Sequence, residues 1–415
     1  MTPPGPAPAA DEASIRFEGW RVVAACFFMA TFGWGLGFYG HSVYLAELQR
    51  VHGWPASLIA AATTCFYLAG ALLVTFISEA VRWLGPRNCL LGGIACMAAA
   101  VALLGQITAP WQLFAVYGLM AAGWAGTTLG AVTTTLGLWF NRRRGMAISL
   151  ALNGASFGGI LGVPLLVMAT AALGFSLAMA AAAGAMILVL APMMVACIGT
   201  PPPAPAAGPD RPDGAPLPPP SPARIRAEAL RSVAFLTVAI PFACVLFAQV
   251  GFIVHAISFL DPIIGREHAA AAVVIVTVMA VVGRVLVSAV IDRFNQRLAA
   301  SLSFVSHALA LVLFINASDV RLVYAAAALF GFSVGNMITL PALIIQREFD
   351  ASAFSVLISL NTAITQIAFS FGPGVIGFLR DFSGSYVVPF SVCIGLQLVA
   401  AALVLVRARP RPAAG

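Results

Sequence analysis

Twelve stretches of this 415-residue chain are apolar for about 20 residues or more, the length an α-helix needs to cross a hydrocarbon core of ~30 Å. No other feature narrows the fold as far. Inside lipid, each backbone N–H and C=O must find its partner within the protein, so runs of this kind are helices. They are expected near 20–47, 57–79, 88–108, 111–138, 145–170 and 174–199, and again near 230–258, 268–291, 297–316, 320–346, 351–378 and 384–406. With 61% hydrophobic and only 9% charged residues, the chain has too little polar surface to cover a soluble core. The fold class is an all-α polytopic membrane protein.

The net charge of +7 is carried by 22 basic residues, all arginine. With the N-terminus inside, 17 of them fall in cytoplasmic segments, four (Arg50, Arg266, Arg321, Arg380) fall outside, and Arg284 lies within a span. That bias is the positive-inside rule. It places both termini in the cytoplasm and the protein in the inner membrane, and it makes the basic excess topological rather than a nucleic-acid surface. The seven cysteines sit in or beside apolar runs with no CxxC pair, so they read as small packing residues. No metal site, cofactor or disulfide framework is expected.

Between Pro201 and Pro222, 11 of 22 residues are proline, which reads as an extended linker. The chain is therefore divided into a disordered tail (1–19) without the basic region of a cleaved signal peptide, a six-helix bundle (20–199), a cytoplasmic linker (200–229), a second six-helix bundle (230–406) and a short tail (407–415). The halves echo one another: Tyr117 and Tyr324 are 207 apart, while Gly123 and Gly331, like Asn153 and Asn361, are 208 apart. Two parallel six-helix repeats with a site between them near the midplane make a transporter architecture.

Several motifs carry a family resemblance. "LWFNRRRGMAISLALNG" (Leu138 to Gly154) is similar to the loop into helix five of the monocarboxylate-transporter-like and oxalate/formate-exchanger-like branch of the major facilitator superfamily. "GRVLVSAVIDR" matches that branch's helix-eight pattern of an Arg followed eight residues later by Asp. "FEGWRVVAACFF" and "FGPGVIGFLRDFSGSY" resemble the start of helix one and the end of helix eleven. The resemblance implies the major facilitator fold, a secondary transporter, and a substrate role for Arg284. The chain also departs from the pattern. Arg82 stands where a loop Asp is usual, Tyr39 where proton-coupled members have a substrate Lys, and Ala280 where they have an Asp. Helix eleven offers Asn361, Thr365 and Gln366 where oxalate exchangers have a Lys. One fixed positive charge suits one carboxylate, so the expected substrate is a small organic monocarboxylate.

Arg284 carries most weight on physical grounds too. Eight residues at ~1.5 Å each put it about 12 Å from the level of Asp292, near the midplane and too deep to snorkel. Burying an Arg there costs at least ~2.5–3.5 kcal/mol on insertion scales, so it should face a wet cavity and meet an anion. The alternative is pairing with backbone carbonyls that lock the two halves together. The expected substrate-facing set is Arg284, His255, Tyr39, His41, Asn153, Gln249, Asn361 and Gln366. The expected gating loops hold Asp292 and Arg293, and Arg142, Arg143 and Arg144, which also read as a lipid-headgroup anchor. His255 reads equally as a cavity or a packing residue, His307 as packing, and His52 and His268 as surface groups. With no carboxylate beside Arg284, a coupling proton has to use His41, His255 or the substrate.

Other function classes fit less well. An exporter of drug-like cations usually needs an intramembrane carboxylate, whereas Glu47, Asp261 and Asp381 fall near helix ends. "GASFG" (Gly154 to Gly158) formally matches a serine nucleophile motif, but that motif works only on a strand-to-helix turn and here lies mid-helix. No enzyme activity is expected. A non-transporting sensor would need a soluble partner, for which the tails offer no feature. The chain is read as a monomer whose partners are its anion, the bilayer and, for a coupled cycle, a proton.

Overall fold

A computed structural model describes residues 12, 14, 17–140, 143–199, 222–350 and 353–406. Among the described residues, twelve helices are long and apolar enough to cross a membrane. The first six are α1 (Gly19–His52), α2 (Ala56–Val74), α3 (Pro86–Leu104), α4 (Pro110–Gly137), α5 (Arg144–Leu173) and α6 (Phe175–Cys197). The second six are α7 (Val233–Ile264), α8 (Arg266–Val287), α9 (Gln296–Ile315), α10 (Val320–Glu348), α11 (Val356–Ser383) and α12 (Val387–Val404). Because the number of spans is even, the two ends of the chain lie on one side, here called the near side. α1 outruns its expected limit by five residues, since polar Gln49 and Arg50 still continue the helix until Gly53 turns it.

Two connections are single glycines. Gly174 and Gly265 have φ of 76° and 80°, and only a residue without Cβ takes this left-handed conformation at little cost, so α5 runs into α6 and α7 into α8 with no loop. Elsewhere helices are interrupted inside a span. α1 passes through a π-helical turn at Gly35–Tyr39, and α4 is broken at Thr128 by one extended residue. The chain leading into α9 also forms a short 3₁₀ turn, Ile291–Arg293.

Packing follows the repeat. In the first half α1 lies on α5, α2 on α4, and α3 on α6. In the second, α7 lies on α11, α8 on α10, and α9 on α12, each pair shifted by six. The halves join through α2 against α11 and α5 against α8, a pair of contacts exchanged by the same shift. Small residues set the spacing: a Cβ on Gly162 would stand 2.9 Å from the Gly35 Cα of α1, so these two backbones touch only because both positions are glycine.

The segment read as linker up to 229 is helical from Pro222 to Arg231. Its proline occupies the first turn, where no N–H is missed, and Ile225 and Ala229, one turn apart, are buried against α7 and α11. The proline-rich remainder, like Arg142, lies outside the described residues. At the near end of the second half, Arg297 is fully buried and pins four helices. Its guanidinium grips Glu348 of α10 with two bonds of 2.7 Å, and donates to Thr237 and Ala234 of α7 and to the Val404 and Val406 carbonyls at the end of α12.

Candidate functional site

α8 presents Thr277 at the middle of its span and Arg284 two turns closer to the near side, on one face of the helix. Arg284 is half-buried. Its Nε donates at 3.4 Å to the Gly335 carbonyl of α10, and among the described residues no ion pair involves it. Gly335 permits this approach, because a Cβ there would collide with the Ala280 carbonyl of α8. From the other half, Tyr39 leaves the π turn of α1, and its ring and the Thr277 side chain meet at Gly159 of α5. Gly159 of α5 opens the space between them: a Cβ on it would stand 2.7 Å from the Thr277 hydroxyl and 2.8 Å from the Tyr39 ring.

Three buried amides inside the spans carry oxygens without partners among the described residues. Asn336, next to Gly335, is buried with its Oδ1 lacking a partner among the described residues, as are the amide oxygens of Gln249 on α7 and Asn361 on α11. Buried polar atoms normally find partners, so such atoms fit groups that receive a ligand or water. Gln366 is half-buried on α11, and Asn153 is exposed on α5.

The two histidines expected in this set lie elsewhere. His41 is drawn into the interior of the first half, ringed by Tyr44, Phe66, Tyr67 and Tyr117, with Nδ1 at 3.4 Å from the Tyr117 hydroxyl. His255 is fully buried, with Nε2 at 3.0 Å from the Pro373 carbonyl and Nδ1 at 3.0 Å from the Tyr386 hydroxyl. A carbonyl only accepts, so Nε2 carries the proton and Nδ1 accepts from Tyr386. Burial pushes the Tyr386 phenol up, which keeps it a donor. Both histidines are held by packing rather than presented to a cavity. Of the gating arginines, Arg143 and Arg293 are exposed, and Arg144 lays its guanidinium over Gly137.

His255 belongs to the closed end of the molecule. On the far side, Glu47 of α1, buried and paired with Arg50 at 2.8 Å, also forms an ion pair with Arg266 of α8. Ser258 of α7 donates to Gln49 at 2.9 Å, and the Gly374 N–H of α11 donates to Thr64 of α2 at 3.2 Å. Asp381 of α11, paired with Arg380, accepts from the Ser57 N–H at 2.7 Å. There it caps the N-terminus of α2 from the opposite half, where a carboxylate meets the positive end of the helix dipole. These bonds seal the halves together on the far side. The Arg297 cluster on the near side joins second-half helices.

Replacing Glu47 and Asp381 together by Gln and Asn removes the ion pair with Arg266 and the charge that caps α2. The expected result is a larger fraction open to the far side, read as faster labelling of a cysteine at Ile253 by an impermeant maleimide after the seven native cysteines are replaced. Unchanged labelling would mean that apolar packing alone holds this end shut.

Two six-helix halves that repeat one another and join on the far side make the architecture of a secondary membrane transporter. The chain belongs to the Major Facilitator Superfamily, whose family model matches residues 23–269 and 257–415. Solved structures share the fold. The nucleoside transporter NupG superposes with a TM-score of 0.75 at 12% identity, over 94% of this chain and 100% of that one. A bacterial homolog of the human lysosomal transporter Spinster, in an inward-facing, unoccupied conformation, superposes at 0.72 with 13% identity, over 94% and 97%. In sequence, the uncharacterized transporter ESBP6 of Saccharomyces cerevisiae is 31% identical over 153 residues, a match spanning 34% of this chain and 22% of that protein.

Proposed function

We propose that this transporter moves a small organic anion, a monocarboxylate, across the cytoplasmic membrane by alternating access. One observation carries this reading: Arg284, half-buried within the span of α8, is a cation with no ion pair among the described residues. A charge within a span favours an anion as its partner, and a planar guanidinium fits one carboxylate with two parallel hydrogen bonds. Thr277, on the same face of α8 as Arg284, Tyr39 beside it, and Asn336, next to the Gly335 that accepts from Arg284, supply hydrogen-bonding groups to this region.

With the termini in the cytoplasm, the near side is the inner face and the ties between the halves described above lie toward the outer face. A reporter fused within the proline-rich segment is expected to report cytoplasm; a periplasmic signal there would put those ties toward the inner face. His41 and His255 are both sealed into packing, so a coupling proton is assigned to the substrate carboxyl itself. The direct test is uptake and counterflow in proteoliposomes with a panel of labelled carboxylates. Movement of neutral or cationic solutes, with no carboxylate carried, would overturn the reading.

A further inference from the structure

The first half also carries an aromatic wall. Trp124 of α4 lies in a slot cut by two glycines: a Cβ on Gly37 of α1 would stand 2.7 Å from the indole Cε3, and one on Gly70 of α2 would stand 3.0 Å from Cδ1. Trp34 tilts against this indole at 5.1 Å and Phe38 stacks over it at 6.5 Å, while the buried Phe66 backs it at 5.9 Å. Trp34, Phe38 and Trp124 are each half-buried, so each still offers ring surface. The wall faces the other half of the molecule, because Tyr67, which touches Phe38 at 6.0 Å, meets Phe369 of α11 at 5.5 Å. It also reaches toward the charged residue, because Phe38 packs edge-on against Tyr39 at 5.1 Å, and Tyr39 meets Thr277, which lies on the same face of α8 as Arg284.

We infer that the anion accepted here is an aromatic carboxylate, its carboxyl on Arg284 and its ring on Trp34, Phe38 and Trp124. The inference rests on the carboxylate reading given above and narrows it. Tryptophan in a membrane protein usually belongs at the interface, where its ring meets headgroups. Trp34 instead stands near the middle of the 34 residues of α1, and nothing in the lipid calls for indoles at that depth. Aromatic rings favour offset or edge-to-face partners, and a ligand pocket is usually an apolar surface with a few polar groups that fix orientation. A two- or three-carbon acid bound at Arg284 would leave most of this wall wet. A ring covers it, and it links the first half to the anion site on the second, which is what closure around a substrate requires.

The test compares two acids that differ only in a ring. Binding of propionate and of 3-phenylpropionate to the purified full-length protein is measured by titration calorimetry and by quenching of tryptophan fluorescence, with 3-phenylpropanol as the uncharged control. The expected result is at least tenfold tighter binding of the phenyl acid, no saturable binding of the alcohol, and a ratio falling toward one in Trp124→Leu and in Phe38→Leu. Phe38→Leu leaves the glycine slot filled, so it decides the matter where the indole variant fails to fold. Equal affinities for the two acids, both lost in Arg284→Gln, overturn the aromatic subsite and leave the carboxylate reading standing. A ratio unmoved by either wall variant also overturns it. Binding that survives Arg284→Gln unchanged, or no binding of either acid, removes the carboxylate reading and this inference with it.

Discussion

Arg284→Gln yields a folded, membrane-inserted protein that no longer binds or moves its anion. The expectation of normal folding comes from how little holds the side chain: among the described residues its one hydrogen bond is 3.4 Å long, to the Gly335 carbonyl, at the outer edge of useful geometry. That carbonyl is on α10, in the same half as Arg284, so the arginine does not tie the two halves together. Removing the charge also removes the cost of burying it. Function behaves differently. A bidentate guanidinium–carboxylate pair contributes two charge-assisted bonds, each ~1.5–3 kcal/mol, and losing about 3 kcal/mol lowers affinity by roughly 100-fold or more. Arg284→Lys is expected to retain little activity, since an ammonium lacks the planar fork. Titration calorimetry, together with counterflow in proteoliposomes, checks both variants. Wild-type counterflow in Arg284→Gln would place the substrate elsewhere.

Arg284 could be found in the sequence because a lone charge in an apolar run is itself a signal, and helix geometry turns its position into a depth. The twelve spans and the two-half organisation were legible for similar reasons: length against bilayer thickness, and a run of prolines that no transmembrane helix tolerates. What surrounds Arg284 was partly legible. Thr277 lies seven residues before it, on the same helix face, and Asn336 is an amide inside an apolar span, so both signals were present and were passed over. The far-side closure was not legible. Glu47 and Arg266 each lie at a helix end, where charges usually meet water, and only the packing of α1 against the start of α8 buries them as a pair. His255 was ambiguous because α7 is buried on most of its circumference, and a helix buried all round has no periodicity to say which way a side chain points. The aromatic wall was hidden for a related reason, since its rings come from α1, α2 and α4, and from α11 of the other half.

The buried Arg297–Glu348 pair gives the largest expected effect on stability. Counted along the chain, Arg297 is one more arginine beside a near-side loop; in the fold it is 2% exposed and every arm of its guanidinium is engaged. Breaking such a pair by removing one partner costs about 3–5 kcal/mol, because charge and hydrogen-bonding groups are stranded away from water. The two partners are not equivalent. Glu348 is 28% exposed and can be hydrated when left alone, but Arg297→Ala also opens a cavity and strands Thr237 with the carbonyls of Ala234, Val404 and Val406. Glu348→Gln keeps one acceptor for the fork and leaves those other bonds in place, so its expected loss is smaller, about 1–3 kcal/mol. Thermal unfolding of the purified variants in detergent should therefore rank wild type above Glu348→Gln, and Glu348→Gln above Arg297→Ala, with Arg297→Lys close to Ala because a point charge cannot serve so many acceptors at once. The order of the two losses is the discriminating result. A larger loss for Glu348→Gln than for Arg297→Ala would show that the stability of this end resides in the neutralised charge rather than in the guanidinium as a hub joining α7, α9, α10 and α12.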